Sequence, residues 1–247
     1  MQTNLYNDVL KDLQDYMLDE NNIDKSLEMK IRSLIREKSQ TNFIKQQKTL
    51  FIPKEKDSLF WCFYIIKNGE IKYDTLTNRN EIIAKQIKIT YIEKIRKEKQ
   101  TVKIYKFDTI SNIESNLVND NVINSKTFLT LCALENLNVI FISKKTYFQL
   151  SMNDSKEIFI INEINNSSNG KYNIKYGFEL GSDDVINNIK NSFYYVDKID
   201  KPIKSLSAYK TNDLIEICVK LAIETINKDT NKTKTKKELY EGIIQYF

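Results

Sequence analysis

Three cysteines, Cys62, Cys132 and Cys218, are the strongest nucleophiles in the chain, and no histidine accompanies them anywhere in its 247 residues. A thiol without an imidazole lacks the usual group that draws off its proton and steadies the thiolate. The same absence removes Ser–His–Asp triads, histidine general bases and histidine metal ligands. Three cysteines also fall short of a four-cysteine zinc site. Each thiol lies in an apolar stretch and none belongs to a CxxC pair, so three buried free thiols are expected, as in a reducing compartment. No Walker-type loop, GxGxxG, HExxH, EF-hand loop or RNP-type aromatic signature occurs. Among the carboxylates, Glu135 comes nearest to an apolar frame, between Leu134 and Leu137, and its side chain is expected to point outward beyond a helix end. Catalytic residues, metal sites and cofactors are accordingly expected to be absent.

Lysine is the other chemistry on offer. From Arg79 to Lys106 there are nine Lys and Arg against three Glu. Of these, Lys85, Lys88, Lys94, Arg96, Lys97 and Lys99 would form a basic surface on one helix, suited to nucleic acid or to an acidic protein. A solvated lysine face in a lysine-rich proteome explains the same pattern without a ligand. Lys, Asn and Ile are abundant while Gly and Pro number only 5 and 2, as AT-rich coding would produce. The net charge of +5 is compatible with a polyanion and does not demand one.

These residues need a scaffold, and 41% hydrophobic residues are enough for a real core. Helical periodicity is expected in Leu5–Met17 and Leu27–Ile35, with a basic loop over 39–56. Asp57 is placed to cap a buried helix Leu59–Ile66, and Asn68-Gly69 to end it. A long helix over 80–99 would bury Ile82, Ile83, Ile87, Tyr91, Ile92 and Ile95, with shorter helices at 108–118 and 125–136. β-Branched and aromatic runs at 138–143, 146–150, 157–164 and 171–178 predict strands, in an antiparallel meander packed on the preceding helices. A closing helix at 183–193 and a linker at 196–205 come next. No secretory leader is expected from Met1–Tyr16. The longest apolar run, Leu59–Ile66, is too short for a membrane span, so no membrane insertion is expected.

The C-terminal stretch carries the most specific pattern. Leu214, Leu221 and Ile223 precede a polar run, and Thr235-Lys236-Lys237-Glu238-Leu239 opens a second helix. This resembles the SAP-type helix–extension–helix module. The resemblance implies double-stranded DNA as partner, with Lys210, Lys232, Lys234, Thr235, Lys236 and Lys237 at the phosphates. The connecting run is longer than that family's and lacks its usual glycine. The segment around Cys62 loosely resembles papain-like and ovarian-tumour-type proteases, which without histidine implies an inactive pseudo-protease. From about Pro53 onward, "DSLFWCFYIIKNGEIKY", "SKTFLTLCALENLNVIFIS" and "TKKELYE" resemble a protein group of unassigned activity in the nucleocytoplasmic large DNA (giant) viruses. That resemblance implies a viral factory in host cytoplasm, or the virion, as the location.

The expected fold is α+β: a helical arm and basic loop (1–56), a core of helices on a small antiparallel sheet (57–195), and a small helical module (206–247). The expected function is non-enzymatic DNA binding in genome packaging, late gene expression or the virion interior. The alternative is a minor structural or scaffold protein whose last helices dock on a viral structural protein.

Overall fold

The computed structural model describes residues 50–76, 79–168, 171–227 and 231–247. The helices expected before residue 39 lie outside the described residues. An α+β fold is observed, with nine α-helices and one five-stranded sheet among the described residues.

Helix α1 (Ser58–Asn68) starts where Asp57 accepts from the Phe60 amide, and ends at Gly69, whose φ of 86° suits glycine. Every residue from Ser58 to Ile65 is buried. Helix α2 (Glu70–Thr75) follows, then α3 (Glu81–Lys97), capped by Asn80, and α4 (Lys99–Tyr105). Helix α5 (Ile110–Asn119) is capped by Thr109, and α6 (Ser125–Leu134) by Asn124. Five caps or stops of this kind are short-range signals, which is why these helices stand close to where the sequence puts them.

The buried stripe of α3 is rotated from the expected one. Ala84, Lys88, Ile92 and Ile95 face inward, while Ile82 is 65% exposed. Lys88 is therefore not part of a basic surface. Its ammonium donates to Asp57 at 2.6 Å, and the side chains of both residues are about 95% buried. Asp57 also accepts from the Ile123 amide just before α6. One carboxylate thus clasps α1, α3 and α6 at one end.

Glu135 forms a second clasp on the same three helices. Its side chain turns inward rather than out, taking Lys67 of α1 at 2.6 Å and Lys94 of α3 at 2.9 Å. The outward orientation expected of it fails because two ammonium groups converge at the end of α6. Burial works to raise the Glu135 carboxyl, but hydrogen bonds from Lys67 and Lys94 outweigh it and hold the group below its usual range. A carboxyl lowered by folding stabilises above its unfolded pKa, and the effect disappears as pH falls through the folded value. Thermal melts should thus show the native chain losing stability below about pH 4.5, with a smaller acid loss in Glu135→Gln. Equal acid slopes for the two proteins would remove Glu135 as a contributor.

The strands are β1 (Val139–Ser143), β2 (Thr146–Leu150), β3 (Phe159–Ser168), β4 (Lys171–Leu180) and β5 (Tyr194–Tyr195). Their order is β4-β3-β1-β2-β5. The sheet is mixed, not an antiparallel meander. β1–β2 and β3–β4 pair antiparallel, whereas β1–β3 and β2–β5 pair parallel. Asn138 explains the departure. Its buried side chain accepts from the amides of Met152 and Asn153 and donates to carbonyls of Asn153 and Ser155. The 151–158 segment is thereby drawn past the start of β1, and β3 emerges on the far side of that strand.

Strand alternation gives the sheet two apolar faces. Val139, Phe141, Leu150, Ile161 and Phe178 join α1, α3 and α6 in the main core. Ile140, Ile142, Tyr147 and Ile160 pack on Ile186 and Ile189 of α7 (Asp183–Ser192). Residues Leu50–Lys56, expected in the arm, run against this body. Phe51 exchanges two backbone hydrogen bonds with Phe178, and a Cβ at the adjacent Gly177 would come within 3.0 Å of Leu50, Phe51 and Ile52.

Candidate nucleic-acid interface

Residues 206–247 fold as helix, extension, helix. A 3-10 turn (Leu206–Ala208) leads to α8 (Thr211–Leu221), and α9 (Lys236–Tyr246) completes the pair. Leu214, Ile217, Cys218 and Leu221 meet Leu239 and Ile243 in a core of their own. The periodicity that marks these positions is the ordinary apolar stripe of an amphipathic helix. α8 ends at Ala222 in a left-handed conformation, and the Ile223 amide returns to the Cys218 carbonyl at 2.8 Å.

The described arms of the extension pair with each other. Ile226 bridges Thr233, the Asn227 amide donates to Lys232, and the Lys234 amide donates to Thr225. Asn231 takes a φ of 52°, supplying the left-handed residue that glycine supplies elsewhere.

That start is a capping box. Thr235 Oγ1 accepts from the Glu238 amide at 3.4 Å, and Glu238 accepts from the Thr235 amide at 2.7 Å. Donation from the Thr235 amide and hydroxyl holds the exposed Glu238 carboxyl below its usual range. The amides of Lys236 and Lys237 in the first turn have no partner among the described residues. Lys210, Lys232 and Lys237 are exposed, while Lys234 and Lys236 are half-buried. Among the described residues, Lys237 alone of these five has an ion-pair partner, the exposed Glu241 at 3.9 Å. Paired arms and cap bring Lys232, Lys234, Thr235, Lys236 and Lys237 to one end of the module. Lys210 lies at the start of α8, where its amide donates to Asp213.

The second basic surface does not assemble as expected. Lys88 is buried, Lys94 is bound to Glu135, and Arg96 makes two 2.9 Å bonds to Glu114. Lys85, Lys97 and Lys99 remain exposed. The burial of Lys88 has a sequence signal: it falls four residues after Ala84 and four before Ile92, inside the stripe.

The 196–205 segment is more than a linker. Val196 is buried and its amide donates to Tyr147, while Ile203 packs on the module core. The Lys145 amide donates to Tyr246 Oη at 2.9 Å, and the Tyr194 and Phe247 rings lie 6.2 Å apart.

The thiols are placed for packing. Cys62 is fully buried, and its Sγ donates to the Tyr176 carbonyl at 3.6 Å, on the same side of α1 as Ser58, which accepts from the Tyr176 amide. Burial, with the charge of Asp57, pushes the Cys62 thiol far up, and burial does the same to Cys132. Native Cys62 should alkylate at least ~100-fold more slowly than in denaturant, read by mass spectrometry of iodoacetamide-treated protein. Rapid native labelling would revive thiol chemistry at this helix.

No described helix is long and apolar enough to cross a membrane. In comparisons with known proteins, the chain matches no family model, no curated protein and no solved structure.

Proposed function

We propose that the chain is a non-enzymatic DNA-binding protein that meets duplex phosphates through residues 206–247. The observation that supports this reading is the paired backbone and cap that gather Lys232, Lys234, Lys236 and Lys237 at one end of α9, beside two amides without partners among the described residues. Phosphate suits such a place because lysine charge, free amides and the helix dipole act together. Glu238 lies in the same turn and opposes an anion, so binding depends on the lysines outnumbering it. The stretch 198–247 has ten Lys, seven acids and no Arg, the usual bidentate reader of guanine. Binding is therefore steep in salt and weak in sequence preference.

On the resemblance to the giant-virus protein group, the activity we propose would serve genome packaging, late gene expression or the virion interior, in host cytoplasm or the particle. The test is fluorescence anisotropy of the full chain on two unrelated duplexes across a salt series. Similar affinities with a steep slope support the reading. Absence of binding at low salt removes it. In that case the exposed Val219, Ile226 and Ile244 on the module favour the alternative, docking on a structural protein.

A further inference from the structure

One end of the sheet's helix-facing surface leaves a cavity of about 450 Å³. It lies where the helix layer stops short of the strands, and the strand register explains its chemistry. The apolar row Phe148–Phe141–Ile161–Phe178 crosses four strands in register. Two residues further along β1 and β3 the same face turns polar, as Thr146–Ser143–Glu163–Tyr176. The polar row is half-buried, and Thr146, Ser143, Glu163 and Tyr176 all line the cavity, with Phe141, Phe148 and Phe247 supplying further aromatic wall.

The charge of this cavity runs against that of the chain. The protein has 38 Lys and Arg, yet among the described residues no basic side chain lines this space, while two carboxylates do. Asp200 is already answered by Lys126 at 2.7 Å. Glu163 is not: it accepts from Ser143 Oγ at 2.5 Å, and no cationic group lies within ion-pair distance among the described residues. Burial, together with Glu163 and Asp57, pushes the Tyr176 phenol up to about 12, so it stays neutral and adds no competing charge. A half-buried carboxylate beside aromatic rings attracts one class of ligand above others. Ring faces carry negative electrostatic potential and favour a weakly hydrated cation, and the carboxylate completes the attraction.

We infer that the cavity bounded by Glu163, Tyr176, Phe141 and Phe148 binds a small organic ammonium ion. Aromatic rings surround the alkyl groups, and Glu163 faces the charge. This site is separate from the proposed phosphate contact and does not depend on it.

Choline and its neutral isostere 3,3-dimethylbutan-1-ol are suitable probes, titrated by calorimetry into the full chain. Choline should bind at least about ten-fold more tightly than the isostere. Glu163→Gln keeps an acceptor for Ser143 and removes the charge. It should weaken choline about ten-fold and leave the isostere unchanged, which also reports that the cavity is intact. Equal affinity for the two probes, no binding of choline at millimolar concentration, or unchanged choline affinity in Glu163→Gln would each overturn the inference. Should Glu163→Gln fail to fold, the ratio of choline to isostere on the native chain decides alone.

Discussion

Asp57→Ala should destabilise the protein by about 3–5 kcal/mol, and lower its melting temperature by on the order of 10 °C. Three losses coincide. Lys88, 4% exposed, is left with an uncompensated buried charge. The Phe60 amide loses its cap acceptor, a loss that alone costs about 1 kcal/mol. The Ile123 amide loses its partner at the start of α6. Removing one member of a buried pair costs far more than removing both, because the orphaned charge is the penalty. Asp57→Asn combined with Lys88→Met keeps a cap acceptor and an apolar stem, so it should recover at least half of the loss. Chemical denaturation of the three proteins reads these differences directly. If Asp57→Ala costs under about 1 kcal/mol, the clasp does not hold the helix layer together.

Replacing Lys234, Lys236 and Lys237 together with Ala should lower duplex affinity ~100-fold at physiological salt. Each phosphate contact adds about 0.9 to the slope of log affinity against log salt, so three contacts account for roughly 2.7. The fold of the module should survive. Its core is Leu214, Ile217, Cys218, Leu221, Leu239 and Ile243, and the Lys234 amide keeps its bond to Thr225 whatever side chain it carries. Ala is also a better helix former than Lys at the start of α9. The companion variant Lys85→Ala, Lys97→Ala, Lys99→Ala reports on the other exposed lysines and should leave the slope unchanged. An unchanged slope in the first triple variant would transfer the module to the docking reading.

Much of the fold was legible because its signals are local. Asp57, Asn80, Thr109 and Asn124 each accept from an amide three residues on, and Gly69 stops α1. The β-branched and aromatic run Val139–Ile142 marked a strand. What escaped were effects carried across long sequence distances. Nothing near Asn138 announces that its side chain will hold residues 152–155, and that contact makes β1–β3 parallel. Likewise, Glu135 looks outward until Lys67 and Lys94 arrive from 68 and 41 residues away. The proposed phosphate contact was legible as Thr235-Lys236-Lys237-Glu238-Leu239, the opening of a SAP-like second helix, but the paired strands before it were not. The cavity beside Glu163 was invisible, because its row is assembled from four strands whose order depends on Asn138.

The module is held on the sheet at both ends of its own sequence. Tyr194–Tyr195 pairs with β2 just before it, and Tyr246 and Phe247 return to the β1–β2 turn and to Tyr194 after it. A domain on a free tether must give up its tumbling when it meets a partner, and that loss of freedom weakens every contact it makes. Here most of that freedom is already lost on folding. The lysines of α9 are presented in a fixed direction relative to the sheet, so a partner that engages them also fixes the orientation of the whole described body.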